Sequence, residues 1–161
     1  KENILFSDPY MNNRFIIFRA AGQNQEIKDE ASLAGKIVAT QSGGGTIEEY
    51  LDAKPEITGR FKEFKKYQDY LAAFMDLENG RIDAVVCDEI IGRYYMSKHP
   101  NKLEAVDVTV GPSAQFGVGF RKDDQALRDK VQKALDEMRQ DGTMAKISQK
   151  WFAADITKIA K

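Results

Sequence analysis

Ile37-Val38-Ala39-Thr40-Gln41-Ser42-Gly43-Gly44-Gly45-Thr46-Ile47-Glu48-Glu49-Tyr50-Leu51 decides the fold of this chain. Its first four residues are an apolar, β-prone run led in by Gly35-Lys36, and three glycines follow Gln41-Ser42. Ile47, Tyr50 and Leu51 then share one face of a helix. Thr46 with Glu49 three residues later has the form of a capping box, in which each side chain satisfies an amide at a helix start. The stretch is strand, glycine loop, helix N-terminus.

Outward from it the pattern recurs. On the C-terminal side, Phe61 to Tyr67 alternates apolar and basic residues as a half-exposed strand does. Gln68 to Asn79 carries Tyr70, Leu71, Phe74 and Leu77 at helical spacing, and Gly80 suits the helix end. Ile82 to Cys87 is a continuous apolar strand of the kind buried on both faces of a sheet. Asp88 ends it, and Glu89 to Ser97 is again helical. Leu103 to Val110 reads as a strand closed by Gly111-Pro112, and Gln115 to Phe120 as another. Asp124 to Gln140 is a periodic helix with the stripe Leu127, Val131, Leu135 and Met138, and Met144 to Phe152 is a last short amphipathic helix. On the N-terminal side, Phe15-Ile16-Ile17-Phe18 is a short strand. Strands and helices alternating at these lengths predict an α/β domain with a mostly parallel sheet flanked by helices.

In such sheets ligands bind beyond the carboxyl ends of the strands. Two features fall there: the loop from Gln41 to Thr46, and Asp88. The loop delivers backbone N–H groups to a helix start, a geometry that favours a carboxylate or phosphate. Asp88 adds a fixed negative charge at a neighbouring strand end. Without a ligand, the loop is a tight turn and Asp88 a helix N-cap. Together they complement a zwitterion, and an α-amino acid is one. A phosphate-binding P-loop is excluded because no Lys follows Gly45, and a dinucleotide fingerprint fails on glycine spacing.

Bulk properties narrow the function further. The 161 residues carry 24 Lys plus Arg against 25 Asp plus Glu, a formal net charge of −1, so the basic excess of a nucleic-acid binder is missing. Cys87 is the single cysteine and cannot form an internal disulfide; in its apolar run it reads as a small core residue. One histidine, His99, excludes a His-based metal cluster. No stretch is long and apolar enough to span a membrane. No nucleophile–base pair stands out, so neither an enzyme nor a cofactor site is expected. Lys62, Lys65 and Lys66, like Glu48, Glu49, Asp76 and Glu78, read as solvated surface.

Five motifs in order resemble the amino-acid-specific solute-binding proteins of ABC importers. They are Phe6-Ser7-Asp8-Pro9-Tyr10, Leu33-Ala34-Gly35-Lys36-Ile37-Val38 with Gln41-Ser42-Gly43, and Leu77 to Asp88. Phe116 to Lys122 and Asp141-Gly142-Thr143 with Ile147 and Lys150-Trp151-Phe152 complete the set. The resemblance implies a type II periplasmic-binding-protein fold, an extracytoplasmic location, and the importer's membrane subunits as partners. It implies that Asp88 grips a ligand ammonium and that Gly45 and Thr46 contact its carboxylate. Gln41, Ser42 and Cys87 would then face the ligand side chain, with Gly43 in the same loop. Neutral Gln41 and apolar Cys87 favour a neutral or polar amino acid.

Against that family the chain reads as the interior of a longer protein, lacking most of a first lobe. Residues 1–14 would end that lobe and enter the hinge. Residues 15–113 would form the second ligand-binding lobe, and residues 114–161 the return hinge strand and the C-terminal helices. Binding by this chain alone is expected to be weak or absent. The stripe of Leu127, Val131, Leu135 and Met138, with Trp151, would lie bare and drive self-association through the C-terminal helices. The alternative function is a ligand-sensing lobe of a receptor or histidine kinase. A dehydratase on the same scaffold would need an acid–base pair, of which only Asp88 is found.

Overall fold

A computed structural model describes residues 4–43 and 45–158. In chain order the strands are β1 (Ile4–Phe6), β2 (Met11–Ala20), β3 (Ile37–Gln41), β4 (Glu63–Tyr67), β5 (Ala84–Asp88), β6 (Leu103–Phe116) and β7 (Gly119–Arg121). The helices are α1 (Thr46–Asp52), α2 (Pro55–Thr58), α3 (Tyr70–Glu78), α4 (Glu89–Lys98), α5 (Gln125–Gln140) and α6 (Thr143–Phe152), with a 3-10 turn at Ala31–Leu33. The chain divides into two compact units: Arg14–Ser113, and the described residues of Lys1–Asn13 with Ala114–Lys161.

The larger unit is built on a five-stranded sheet in the order β4-β3-β5-β2-β6. β3 runs parallel to both β4 and β5, whereas β2 runs antiparallel to β5. The sheet is therefore mixed, parallel across the three strands that matter for the site. Side chains alternate between its faces with period two. Ile16, Phe18, Ala39, Val85 and Cys87 point to one face, where they meet Ala73, Phe74 and Leu77 of α3 and Tyr95 of α4. Phe15, Ile17, Val38, Ala84 and Val86 point to the other and meet Leu33 with Ile47 and Leu51 of α1. Both faces are covered, which is why β5 reads as an unbroken apolar run.

The α3–α4 side is an aromatic stack. Phe18 meets Phe74 edge-on at 5.8 Å between centroids, and Phe74 stacks on Tyr95 at 4.7 Å. Tyr95 donates its hydroxyl hydrogen bond to Glu78 at 2.9 Å. Gly92 lets α4 lie against this stack: a β-carbon there would fall 2.1 Å from the Phe18 ring. Leu71, expected on the apolar face of α3, is 56% exposed, because the buried stripe runs through Tyr70, Ala73, Phe74 and Leu77.

Two expectations fail in β6. Gly111-Pro112 does not close the strand, which continues to Phe116. β6 lies at the sheet edge, where proline removes no ladder hydrogen bond, and Gly111 supplies a φ of 70°. The strand expected over Gln115–Phe120 is accordingly split between β6 and β7.

The smaller unit pairs β1 antiparallel with β7, Leu5 opposite Phe120. Here Phe6-Ser7-Asp8-Pro9 is held by α5. Arg128 donates to the Phe6 carbonyl at 3.0 Å and to the Asp8 carboxylate at 2.9 Å; Gln132 accepts from the Asp8 amide at 2.8 Å. Arg139 donates to the Pro9 carbonyl at 3.0 Å. Ser148 of α6 is buried and ties down the following segment, donating to the Ala154 carbonyl at 2.7 Å and accepting from the Ile156 amide at 3.0 Å. α5 itself buries no residue fully: Val131, Leu135 and Met138 are half-buried and Leu127 is 47% exposed. No helix among the described residues is long and apolar enough to cross a membrane.

Candidate functional site

The geometry of the candidate site starts at the opposite end of the sheet, with Asp83. Its carboxylate accepts from the Ile37 amide at 2.8 Å while its own amide donates to the Ile37 carbonyl at 2.9 Å, fastening the starts of β3 and β5 together. Near the other end, the buried Thr40 hydroxyl donates to the Val86 carbonyl at 2.9 Å. These two clasps fix the register Val38 opposite Ala84 and Ala39 opposite Val85. Continuing that register residue by residue brings Gln41 abreast of Cys87 and Ser42 abreast of Asp88, on strands about 4.8 Å apart. The glycine loop and Asp88 thus leave the sheet at the same edge. Each of β4, β3 and β5 is followed by a helix, α3, α1 and α4, whose N-terminus starts at that edge.

Within the loop, the Gln41 side chain donates to the Gln68 carbonyl at 3.0 Å. Ser42 anchors to β4 twice, its amide and its hydroxyl donating to the Tyr67 carbonyl at 2.7 and 3.0 Å. Gly43 and Gly45 have φ of 64° and 70°, and Gly45 combines its φ with ψ of −126°, a conformation open in practice to glycine alone. Gly43, Gly45 and Thr46 are exposed, and Gln41, Ser42 and Asp88 half-buried.

The expected capping box is not formed. Gly45 is the N-cap of α1 and no side chain caps the helix, because Thr46 already lies inside the first turn. Glu48 does related work one residue earlier than Glu49 was expected to: its carboxylate accepts from the Gly43 amide at 2.6 Å and pairs with Lys66 at 3.0 Å. Glu48 is therefore part of the loop's scaffold and not idle surface. Asp76 and Glu78 are also engaged, accepting from the hydroxyls of Tyr67 at 2.8 Å and Tyr95 at 2.9 Å.

Asp88 occupies the N-cap position of α4, but its side chain makes no capping hydrogen bond there. The residue after it anchors the turn. Glu89 is 4% exposed and its carboxylate takes both Arg14, at 2.5 and 2.9 Å, and Arg93 at 2.7 Å. Arg14 also pairs with Asp107. The Glu89 hydrogen bond outweighs burial and holds the Arg14 guanidinium firmly protonated.

Cys87 is fully buried in the cluster with Phe74, Tyr70 and Tyr95, its thiol donating to the Asp88 carbonyl at 3.4 Å. Burial, then the charge of Asp88, pushes this thiol well above its ordinary range. Its side chain lines the core beneath the edge, closed to solvent, which favours the core reading of Cys87 over the ligand-facing one. Three residues that shape the edge have no site role in the sequence reading: Glu48, read as solvated surface, Tyr67, read as a strand end, and Tyr70, read as part of a helical stripe. Only Tyr70 left a signal, as a phenol on the apolar stripe of α3. Among the described residues no cluster of His, Cys, Asp or Glu could hold a metal ion.

The bacterial extracellular solute-binding proteins, family 3, match residues 1–154 of the chain. Putative ABC transporter arginine-binding protein 2 of Escherichia coli K12 is 33% identical over 94% of this chain and 60% of its own length. L-cystine-binding protein TcyA of Bacillus subtilis is 29% identical over 95% of this chain and 54% of its own. The crystal structure of a polar amino acid ABC uptake transporter substrate binding protein from Streptococcus thermophilus superposes with a TM-score of 0.81 at 26% identity, covering 96% of this chain and 59% of that one. The chain thus spans 54–60% of the length of these proteins. Its fold is that of type II periplasmic-binding-protein domains, with a mixed α/β sheet between helices. This chain belongs to the bacterial extracellular solute-binding proteins of family 3.

Proposed function

We propose that the chain provides one wall of an extracytoplasmic binding site for an amino acid that an ABC importer's membrane subunits then receive. The observation that supports this is the register of β3 and β5, Val38 opposite Ala84 and Ala39 opposite Val85, whose continuation brings Ser42 abreast of Asp88 at the carboxyl edge of the sheet. Asp88 receives the ligand ammonium as an ion-paired hydrogen bond. The backbone of Gly45 and the backbone or hydroxyl of Thr46, at the uncapped start of α1, meet its carboxylate. Gln41, Ser42 and Gly43 border the ligand side chain. Neutral Gln41 favours a neutral or polar amino acid over a cationic one, although one relative is named for arginine and another for cystine. Residues 15–113 act as the ligand-binding lobe, with residues 1–14 and 114–161 belonging to the hinge and the other lobe.

The test is amide chemical-shift mapping of the chain with amino acids added at millimolar concentration. Shifts gathering at Gln41–Thr46 and Asp88, and absent in Asp88→Asn, are expected. Shifts that avoid both segments, or that survive Asp88→Asn unchanged, overturn the proposal. Self-association through α5 and α6 is a second proposal, supported by Leu127, Ile147 and Trp151, which are 47%, 45% and 43% exposed.

A further inference from the structure

Tyr70 opens α3 and is 6% exposed, with its ring against Phe74 at 6.3 Å. Its hydroxyl is buried and has no hydrogen-bond partner among the described residues. A buried hydroxyl without a partner is an uncommon and costly state. Packing explains the ring and leaves the oxygen unexplained.

Its direction is informative. Helical side chains lean toward the helix N-terminus, and the N-terminus of α3 lies at the carboxyl edge of the sheet. Tyr70 belongs to the same buried cluster as Cys87, the residue just before the end of β5. Burial raises the phenol's ionisation well above its ordinary value, and the nearby Cys87 and Asp88 add to this. Thr40 and the Gln41 backbone lie close enough to pull slightly the other way. The phenol therefore stays a neutral donor, held under the edge where the loop and Asp88 meet.

We propose that Tyr70 is a positioning residue for Asp88, its hydroxyl donating to the Asp88 carboxylate when an amino-acid ammonium engages that acid. This rests on the role of Asp88 proposed above. A donor beneath the acid fixes the carboxylate's orientation and shares its charge, so both partners gain as the ligand seats. The hydroxyl acts on the ammonium end of the ligand, which every α-amino acid shares, and its effect is independent of the ligand side chain.

The experiment compares wild type, Tyr70→Phe and Asp88→Asn in shift titrations with glycine, serine and glutamine, alongside thermal unfolding. Phe keeps the ring and removes only the unpartnered oxygen. Affinity in Tyr70→Phe should fall about tenfold for all three ligands alike, the effect of one hydrogen bond to a charged group. The unfolding midpoint should hold or rise. In wild type the phenolic carbon resonance of Tyr70 should move on adding glycine, and in Asp88→Asn it should not. Unchanged affinity, a loss confined to serine and glutamine, a midpoint lowered by several degrees, or a Tyr70 resonance indifferent to glycine each overturns the inference. If wild type binds none of the three, the role of Asp88 fails and this inference falls with it. If Asp88→Asn alone loses binding, only the role of Tyr70 fails.

Discussion

The two units treat apolar surface differently. In Arg14–Ser113 both faces of the sheet are covered, and Phe18, Phe74, Val85 and Val86 are sealed from solvent. In the other unit, α5 has a clear apolar stripe and buries none of it completely. Helical periodicity identifies the face a helix offers, but not what covers it. An unbroken apolar run along a central strand tells more, because a strand apolar on both sides needs cover on both sides. The difference also separates positions whose substitution costs stability from those whose substitution changes association.

The largest contrast is between Phe74 and Leu127. Phe74→Ala should lower unfolding stability in urea by about 3–5 kcal/mol, because the ring fills the gap between Phe18 and Tyr95. Leu127→Ser should shift it by no more than about 0.5 kcal/mol, as an exposed surface change does. Equal losses would erase the distinction between the two units. An intermediate effect belongs to Glu89→Gln, which leaves the Arg14 and Arg93 guanidinium groups without their shared carboxylate. Strong charged hydrogen bonds at a 4% exposed acid predict a loss of about 2 kcal/mol. Full stability in that variant would mean the network merely decorates α4. The smallest thermodynamic effect sharpens the comparison through assembly instead. Light scattering across concentration should show association in wild type and its loss in Leu127→Ser with Trp151→Ser; a wild-type monomer throughout contradicts the proposal for α5 and α6.

Much of the larger unit was legible in the sequence because local and tertiary demands agree there. Ile37 to Thr40, Glu63 to Tyr67 and the strand ending at Asp88 fall within a residue or two of their expected positions. The loop was harder. Thr46 and Glu49 have the spacing of a capping box, yet the backbone of Gly45 turns so early that Thr46 is already helical. No side-chain pattern encodes that choice, which depends on glycine's freedom at positive φ. Cys87 reads from its apolar run as a core residue and from the family resemblance as a ligand neighbour, and its full burial favours the first. The clasp of Asp83 on Ile37 links residues 46 apart in sequence and escapes any local pattern. Gly111-Pro112 misled for a related reason, since whether it ends a strand depends on whether that strand lies at an edge.

The central claim is that the edge formed by Gln41–Thr46 and Asp88 recognises both charges of a zwitterion. Its most direct test sets free glutamine against N-acetylglutamine, which keeps the carboxylate and loses the ammonium, in wild type and in Asp88→Asn. At millimolar ligand wild type should bind the free amino acid weakly and the acetylated one more weakly still, and Asp88→Asn should abolish that difference. Equal binding of both ligands by wild type, or discrimination that persists without the Asp88 charge, would contradict the account.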